Sequence, residues 1–374
     1  MPHSKAMRLV RIVVSDLHLS EGIEPGRPNP YEDFFYDEEF AELVEQLDEQ
    51  GRKAGGAELI LNGDIFDLLK VPIDGKFPRE ITHELAAERL RRCIEGHPIF
   101  VEALRRFLDC PDNRLTYLPG NHDIEMWLRG PQELLIRYLG GDAIRDRVQF
   151  ITRSDTYYLP EGIQIRHGHQ FERIHRVDYS KMVREGRDGE EILNLPWGAL
   201  WIIDVMNPLK ERRAYIDRIQ PLGRFMLATL FLDFRLFALF AWWSSRHFLR
   251  HRVFALKGFF RGLLALPSRL RDEIFELTHG YDERCARALN RARGVHTLIV
   301  GHSHGPRFIR QRNGKILVNT GTWMKMINLD LHHLGQDSGL TYAIIEYDGD
   351  GKPSTRLMRF LGTRRIAEPI PYLD

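Results

Sequence analysis

Cysteine is scarce in this chain. Its three residues, Cys93, Cys110 and Cys285, lie far apart and form no C-x-x-C pair. That excludes a disulfide framework and a cysteine zinc site, and reads as three free thiols in a reducing compartment. Net charge is also scarce, at +1 over 374 residues, so there is no global nucleic-acid footprint and any basic character must be local. The segment Met1 to Leu9 is short and polar, without an apolar core of signal-peptide length, which predicts a cytoplasmic protein. Uninterrupted apolar runs of membrane-span length are missing as well. Phe225 to Trp243 comes nearest, but Asp233 and Arg235 interrupt it near its middle, where charge in hydrocarbon is costly. A span there would also put the two halves of the chain on opposite sides of the membrane.

What is present suits a soluble protein: 43% hydrophobic and 28% charged residues, enough for one large domain or two modest ones. The apolar run Leu9 to Val14 reads as a buried strand that delivers Asp16 and His18 to one side, since residues two apart on extended chain point the same way. Glu58 to Leu61 reads as a second strand running into Gly63-Asp64-Ile65-Phe66-Asp67. Leu115 to Leu118 reads as a third, running into Gly120-Asn121-His122-Asp123. Helical spacing of Phe40, Leu43, Val44 and Leu47, and patterns over Ile81 to Ile94 and Ile99 to Leu108, fill the intervals. Strand, loop and helix in rotation place the loops on one rim of an open α/β sheet, where such sheets bind ligands. Val148 to Thr152, Thr156 to Leu159 and Ile163 to Arg166 then read as short antiparallel strands leading to His167-Gly168-His169. Thr297 to Val300 leads to Gly301-His302-Ser303-His304, and hairpins come next through Asn313-Gly314 and Asp348 to Gly351.

Any one Asp or His on a turn is ordinarily a solvated or capping residue. Eight of them after successive strands are not. Only Asp, Asn and His converge, and hard oxygen with borderline nitrogen donors suits manganese, iron or zinc better than copper or calcium.

Taken in order, D-x-H, G-D-x-x-D, G-N-H-D, a lone His and G-H-x-H resemble the calcineurin-like metallophosphoesterases, over about residues 8 to 170 and 295 to 347. The resemblance implies an α/β fold with a two-sheet sandwich flanked by helices, and a hydrolase of phosphoester or phosphoanhydride bonds. It implies two divalent ions, with Asp16, His18 and His304 on the first, Asn121, His167 and His302 on the second, and Asp64 bridging. A hydroxide between the ions would attack phosphorus, and His122 would stabilise the phosphoryl oxygens or protonate the leaving oxygen. Asp123, its neighbour, is expected to orient the His122 imidazole. Asp67 is read as holding a ligand histidine, and His169 as either a supporting group or a substrate contact. Protein phosphatases are disfavoured, because Ile124-Glu125-Met126-Trp127 lacks their Arg-rich phosphate clamp. A soluble nucleotide phosphodiesterase and a non-catalytic scaffold that kept its metal site remain as alternatives.

Between His175 and Gly294 the strand signals stop and long helical patterns take over. The reading is a catalytic domain formed by residues 1–175 and 280–374, interrupted by a helical insertion at 176–279 that sits over or beside the site. From Phe234 to Arg271 there is no Asp or Glu. Arg246, Arg250, Lys257 and Arg261 are spaced to share one helix face. A basic amphipathic helix beside a very apolar one reads as a surface for anionic lipid on the inner face of the membrane. A helical cap, a dimer interface and a weaker nucleic-acid surface stand against it. The Ser15-Asp16-Leu17-His18-Leu19-Ser20 motif and a helical insert before G-H-x-H look like the UDP-2,3-diacylglucosamine pyrophosphatase branch of the family. Two features differ from that branch: His122 replaces its usual Arg, and the insert is longer. Oligomeric state is left open.

Overall fold

The computed structural model describes residues 9–24, 26–220, 222–254, 280–329 and 335–362. Strand β1 (Val10–Val14) is β-branched along most of its length and almost wholly buried, the pattern of a central strand covered on both faces. It pairs in parallel with β2 (Ala57–Asn62), which pairs in parallel with β3 (Arg114–Leu118). Between them run helices α1 (Asp37–Ala54), α2 (His83–Gly96) and α3 (Pro98–Asp109). Helix α1 buries Phe40, Leu43, Val44 and Leu47 on one stripe, carries acidic residues in its first turn, and stops at Gly55 with φ 90°.

Helix α4 (Arg129–Leu139), which the sequence patterns do not single out, changes the expected pairing of the next strand. It supplies the crossover that lets β4 (Val148–Phe150) join β3 in parallel at the sheet edge, rather than pair antiparallel with its successor in the chain. The antiparallel pair is instead β5 (Tyr157–Leu159) with β6 (Ile163–Ile165).

Residues 176–254 carry short strands that leave no readable periodicity: β7 (Val183–Glu185), β8 (Glu191–Leu193) and β9 (Ile219–Gln220). Their helices are α5 (Trp197–Trp201), α6 (Asn207–Arg212), α7 (Leu222–Leu232) and α8 (Phe234–Phe248). Wide turns cover Ile202–Met206 and Leu249–Phe254. The apolar run 225–243 is thus two helices, broken at Asp233, whose carboxylate accepts the Leu236 N–H at 3.1 Å and caps α8. Among the described residues, no helix is long and apolar enough to cross a membrane.

Helix α9 (Tyr281–Arg291) leads into β10 (Thr297–Val300), β11 (Arg307–Arg310), β12 (Ile316–Asn319), β13 (Lys325–Asn328), β14 (Gly335–Ser338), β15 (Thr341–Tyr347) and β16 (Pro353–Arg359). One sheet has the order β16-β15-β1-β2-β3-β4 and a second β11-β12-β10-β6-β5. Val13, Ile60 and Ala343 of the first meet Ile165, Ile299 and Val318 of the second in a shared apolar layer. Helices α1, α3 and α4 cover the other face of the first sheet, and α9 covers the second through Cys285 and Leu289. This is the mixed α/β sandwich with outer helices. Strand β9 pairs in parallel with β13, which ties residues 219–220 to the chain beyond the second sheet.

Candidate metal centre

Every motif loop leaves the C-terminal end of a parallel strand: Asp16 and His18 after β1, Asp64 and Asp67 after β2, and Asn121 and His122 after β3. His167 comes after β6, and His302 and His304 after β10. The two sheets therefore contribute to one rim. Five of the candidates, Asp16, His18, Asp64, His302 and His304, hold left-handed backbone with φ between 52° and 69°. Such conformations cost non-glycine residues on the order of 1–3 kcal/mol each and persist where surrounding structure over-determines them. Two motif glycines are needed for close approach. A Cβ on Gly120 would overlap the Asp64 carboxylate, and one on Gly301 would overlap Ser15 and Asp16.

Asp16, His18, Asp64, Asn121 and His167 are buried. Donor atoms of Asp16, His18 and His304 lie within 4.8 Å of one another, as do those of Asp64, His167 and His302, and those of His18, Asp64 and His122. The His167 Nδ1–H donates to the Asn62 carbonyl at 2.8 Å, which leaves Nε2 bare, 3.1 Å from Asp64 Oδ2. His18 Nδ1 meets Asp67 Oδ2 at 3.1 Å, and His18 Nε2 faces His304 Nε2 at 3.1 Å. Asn121 Oδ1 and His304 Nδ1 are buried without a hydrogen-bond partner among the described residues. Lone pairs facing one another across this space need a proton or a cation between them. Burial pushes His167 down, yet Asp64 and Asp16 lift it to about 10, so the carboxylates demand positive charge. Histidines whose second nitrogen is anchored on a carbonyl or carboxylate are the usual form of a metal ligand. On this donor chemistry the residues fit divalent cations.

His122, with a side chain 19% exposed, places Nδ1 2.9 Å from Asp67 Oδ1, and its backbone N–H donates to Asp64 Oδ1 at 2.8 Å. The expected role of Asp123 is corrected here. Its carboxylate accepts the Gly120 N–H at 2.5 Å, the Ile65 N–H at 2.9 Å and the Tyr117 hydroxyl at 2.5 Å, so it ties the second and third motif loops together. It is Asp67 that meets the His122 ring. Burial, with the Asp64 charge, raises Asp123 to about 6. His169 is buried with Nε2 3.4 Å from the Tyr179 hydroxyl and its ring 5.4 Å from that of His167, behind the donor set. Asn319 donates to Gly301 O at 3.1 Å and Ser303 Oγ at 2.8 Å, and Thr322 donates to Asp16 O at 2.6 Å, bracing two loops from below.

Three groups of residues that the motifs do not single out also belong to the site. Glu172 Oε2 lies 3.0 Å from His302 Nε2, and the His175 ring packs 5.1 Å from that of His302. The dense run His167-x-His169-x-x-Glu172-x-x-His175 was the available signal. Lys70 Nζ sits 2.6 Å from Asp67 Oδ2, 3.1 Å from Asp33 Oδ2 and 2.5 Å from Asp217 Oδ2, and Lys210 Nζ lies 2.7 Å from Asp33 and 2.6 Å from Asp217. Burial opposes the Lys70 charge, but Asp217, Asp67 and Asp33 hold its ammonium well above the usual range. No sequence spacing announces this network, which joins residues 33, 70, 210 and 217. Third, Trp201, Ile202, Met206, Ile174 and Met324 form apolar walls of a cavity of about 170 Å³ shared with His18, Asp64, Asn121, His122, His302 and His304. A larger hollow of about 650 Å³ lies between α1 and α3 and is lined by none of these groups.

Arg246 lies in the last turn of α8 and Arg250 in the wide turn after it, both exposed; Lys257 and Arg261 lie outside the described residues. On the same hairpin Leu227, Phe231, Leu232, Phe234 and Trp242 are exposed, Phe231 and Leu232 by 82% and 85%.

A family model described as calcineurin-like phosphoesterase matches residues 10–306. Among solved structures, the chain is similar to a dimetal phosphatase from Danio rerio at 13% identity, covering 94% of this chain and 99% of that one, with a TM-score of 0.35. No curated protein matches it.

Proposed function

The chain belongs to the calcineurin-like phosphoesterases, and from that premise we propose how its residues divide the labour of metal-dependent phosphoester hydrolysis. Asp16, His18 and His304 would hold one divalent ion, Asn121, His167 and His302 would hold a second, and Asp64 would be the carboxylate shared between them. Manganese is the metal proposed, and iron or zinc fits the mixed carboxylate, amide and imidazole donors as well. When bound, the ions supply Lewis acidity at phosphorus and bring water into its nucleophilic range near neutral pH.

The protein's own groups do the rest. His122 donates its Nδ1–H to Asp67, so its Nε2 is turned to the task of meeting a phosphoryl or leaving-group oxygen. Burial lowers the His122 pKa, but Asp67 and Asp64 raise it further than burial depresses it, which favours a ring that carries a proton to give. Asp67 is a positioning residue for both His18 and His122. The wall of Trp201, Ile202 and Met206 excludes water from one side of the cavity.

We treat residues 1–175 and 280–374 as one catalytic unit and 176–279 as an inserted lid. The substrate proposed is a lipid-linked phosphoester or pyrophosphate of the UDP-2,3-diacylglucosamine kind, met at the inner face of the membrane. The observation that carries this reading is the apolar wall that Trp201, Ile202 and Met206 contribute to the cavity holding the candidate ligands. The exposed apolar side chains of α7 and α8 beside basic residues support it. The test is chelator-sensitive hydrolysis by the purified protein with manganese, compared across bis-p-nitrophenyl phosphate, a nucleotide panel and UDP-2,3-diacylglucosamine. Preference for the lipid nucleotide supports the reading. Preference for nucleotides moves the assignment to a soluble phosphodiesterase, and no turnover with metal loaded moves it to a scaffold.

A further inference from the structure

A second polar cavity, of about 160 Å³, is lined by Arg79, Asp204, Trp243, Arg246, His247 and Arg250. Its charge is unbalanced. Arg79 reaches Asp204 Oδ1 through Nε at 2.9 Å and through Nη2, which neutralises the one carboxylate. Among the described residues Arg246 and Arg250 have no acidic partner, so two guanidinium groups on this wall carry no carboxylate from that part of the chain. His247 is 2% exposed. Its Nδ1 meets Asp204 Oδ2 at 2.8 Å, and its Nε2 is buried with no partner among the described residues. His251 approaches the same oxygen at 3.4 Å, so Asp204, His247 and His251 resemble a cation triad. Electrostatics argues against that. A divalent cation here would sit among three guanidinium groups, with the one carboxylate among the described lining residues already paired. Planar forks on a cavity wall match a tetrahedral oxyanion, for which arginine gives bidentate, charge-assisted bonds, and the bare imidazole nitrogen can accept the P–OH of a hydrogen phosphate.

We propose that this cavity binds a phosphate group, held by Arg246 and Arg250 with His247 and Arg79 behind them. Its position gives the site a consequence. Asp204 lies on the turn Ile202–Met206, and Ile202 and Met206 of the same turn line the catalytic cavity. A phosphate bound on one side of this single turn braces the wall on the other. The group is either free phosphate, including that of a soluble nucleotide, or the headgroup of a lipid. The lipid source rests on the proposed membrane-facing function; the site itself does not.

The test reads binding, so a failure of the hydrolase reading leaves it intact. Metal-loaded protein is titrated calorimetrically with inorganic phosphate, wild type against Arg246→Gln/Arg250→Gln. Phosphate taken up at the metal centre is common to both proteins, so the difference reports this cavity. The expected result is loss of one equivalent, or a weakening of that equivalent by about tenfold or more. Both arginines are exposed, and equal thermal midpoints in phosphate-free buffer check the fold; if the double variant is unstable, the single substitutions make the same comparison. Flotation with phosphatidylcholine vesicles, with and without phosphatidic acid, separates the sources. Capture by phosphatidic acid that the substitution abolishes supports a lipid headgroup. A changed isotherm without capture supports soluble phosphate. Identical isotherms for wild type and variants overturn the proposal.

Discussion

Asp67 Oδ1 stands 2.9 Å from His122 Nδ1, while its other oxygen meets His18 Nδ1 and Lys70 Nζ. One carboxylate thus serves a candidate metal ligand, a candidate proton donor and a buried cation at once.

Removing the imidazole while keeping that carboxylate separates chemistry from metal binding. His122→Ala is expected to lower kcat by about 10²–10⁴-fold with metal content, read by elemental analysis, nearly unchanged. Equal loss of both would make His122 a structural group. Asp67→Asn is expected to lower turnover and metal affinity together, each by about 10–100-fold.

Asp64 lies between both donor groups, 3.1 Å from His167 Nε2 and within reach of His18 and His122. Asp64→Asn is therefore expected to reduce bound metal from two equivalents to one or none. Retention of two tightly held ions would sink the shared-ligand role.

Lys210 is fully buried between Asp33 and Asp217. Lys210→Met leaves two carboxylates facing each other around Lys70, and breaking a buried pair from one side costs about 3–5 kcal/mol. Urea unfolding should report a loss of that order. Because Lys70 also touches Asp67, kcat should fall more than KM changes. A variant as stable and as active as wild type would show the network to be incidental.

His97 offers a pH test away from the metal ligands. Burial lowers its pKa, but Asp37 and Glu32, each 3.1 Å away, raise it to about 9, against 6.5 when unfolded. A pKa raised on folding stabilises fully below the unfolded value and is lost as pH rises through the folded one. Wild type should therefore exceed His97→Gln in unfolding free energy by about 3 kcal/mol near pH 6, and the gap should close above pH 9. A gap independent of pH would mean that His97 contributes by packing alone.

The lipid reading predicts that the tip of the α7–α8 hairpin enters the interface. Phe231→Ser/Leu232→Ser should abolish flotation with anionic vesicles while leaving the thermal midpoint unchanged, since both side chains are largely exposed. Flotation that survives the change, or its absence in wild type, removes the membrane from the account.

Much of the fold and the make-up of the candidate site were legible in the chain, because both rest on local chemistry. Buried parallel strands need apolar runs, and the loops after them carry the Asp, Asn and His residues at short range, so β1, β2, β3 and β10 could be read with their motifs. Helix α4 escaped because its pattern comes directly after a motif loop, and without it β4 took the wrong partner. Strands β7 to β9 escaped because two or three residues leave no period to count. Only tertiary structure decided that Asp67 rather than Asp123 meets His122. Both are carboxylates of the motif loops, and the choice turns on which one the Tyr117 hydroxyl and the Ile65 N–H already engage. Only tertiary structure brought Asp33, Lys70, Lys210 and Asp217 together, or set Arg79 against Asp204, since such contacts join residues far apart in sequence. Residue type and spacing determine which groups can bind metal and phosphate. Packing determines which nitrogen faces which oxygen, and that decides what each group can do.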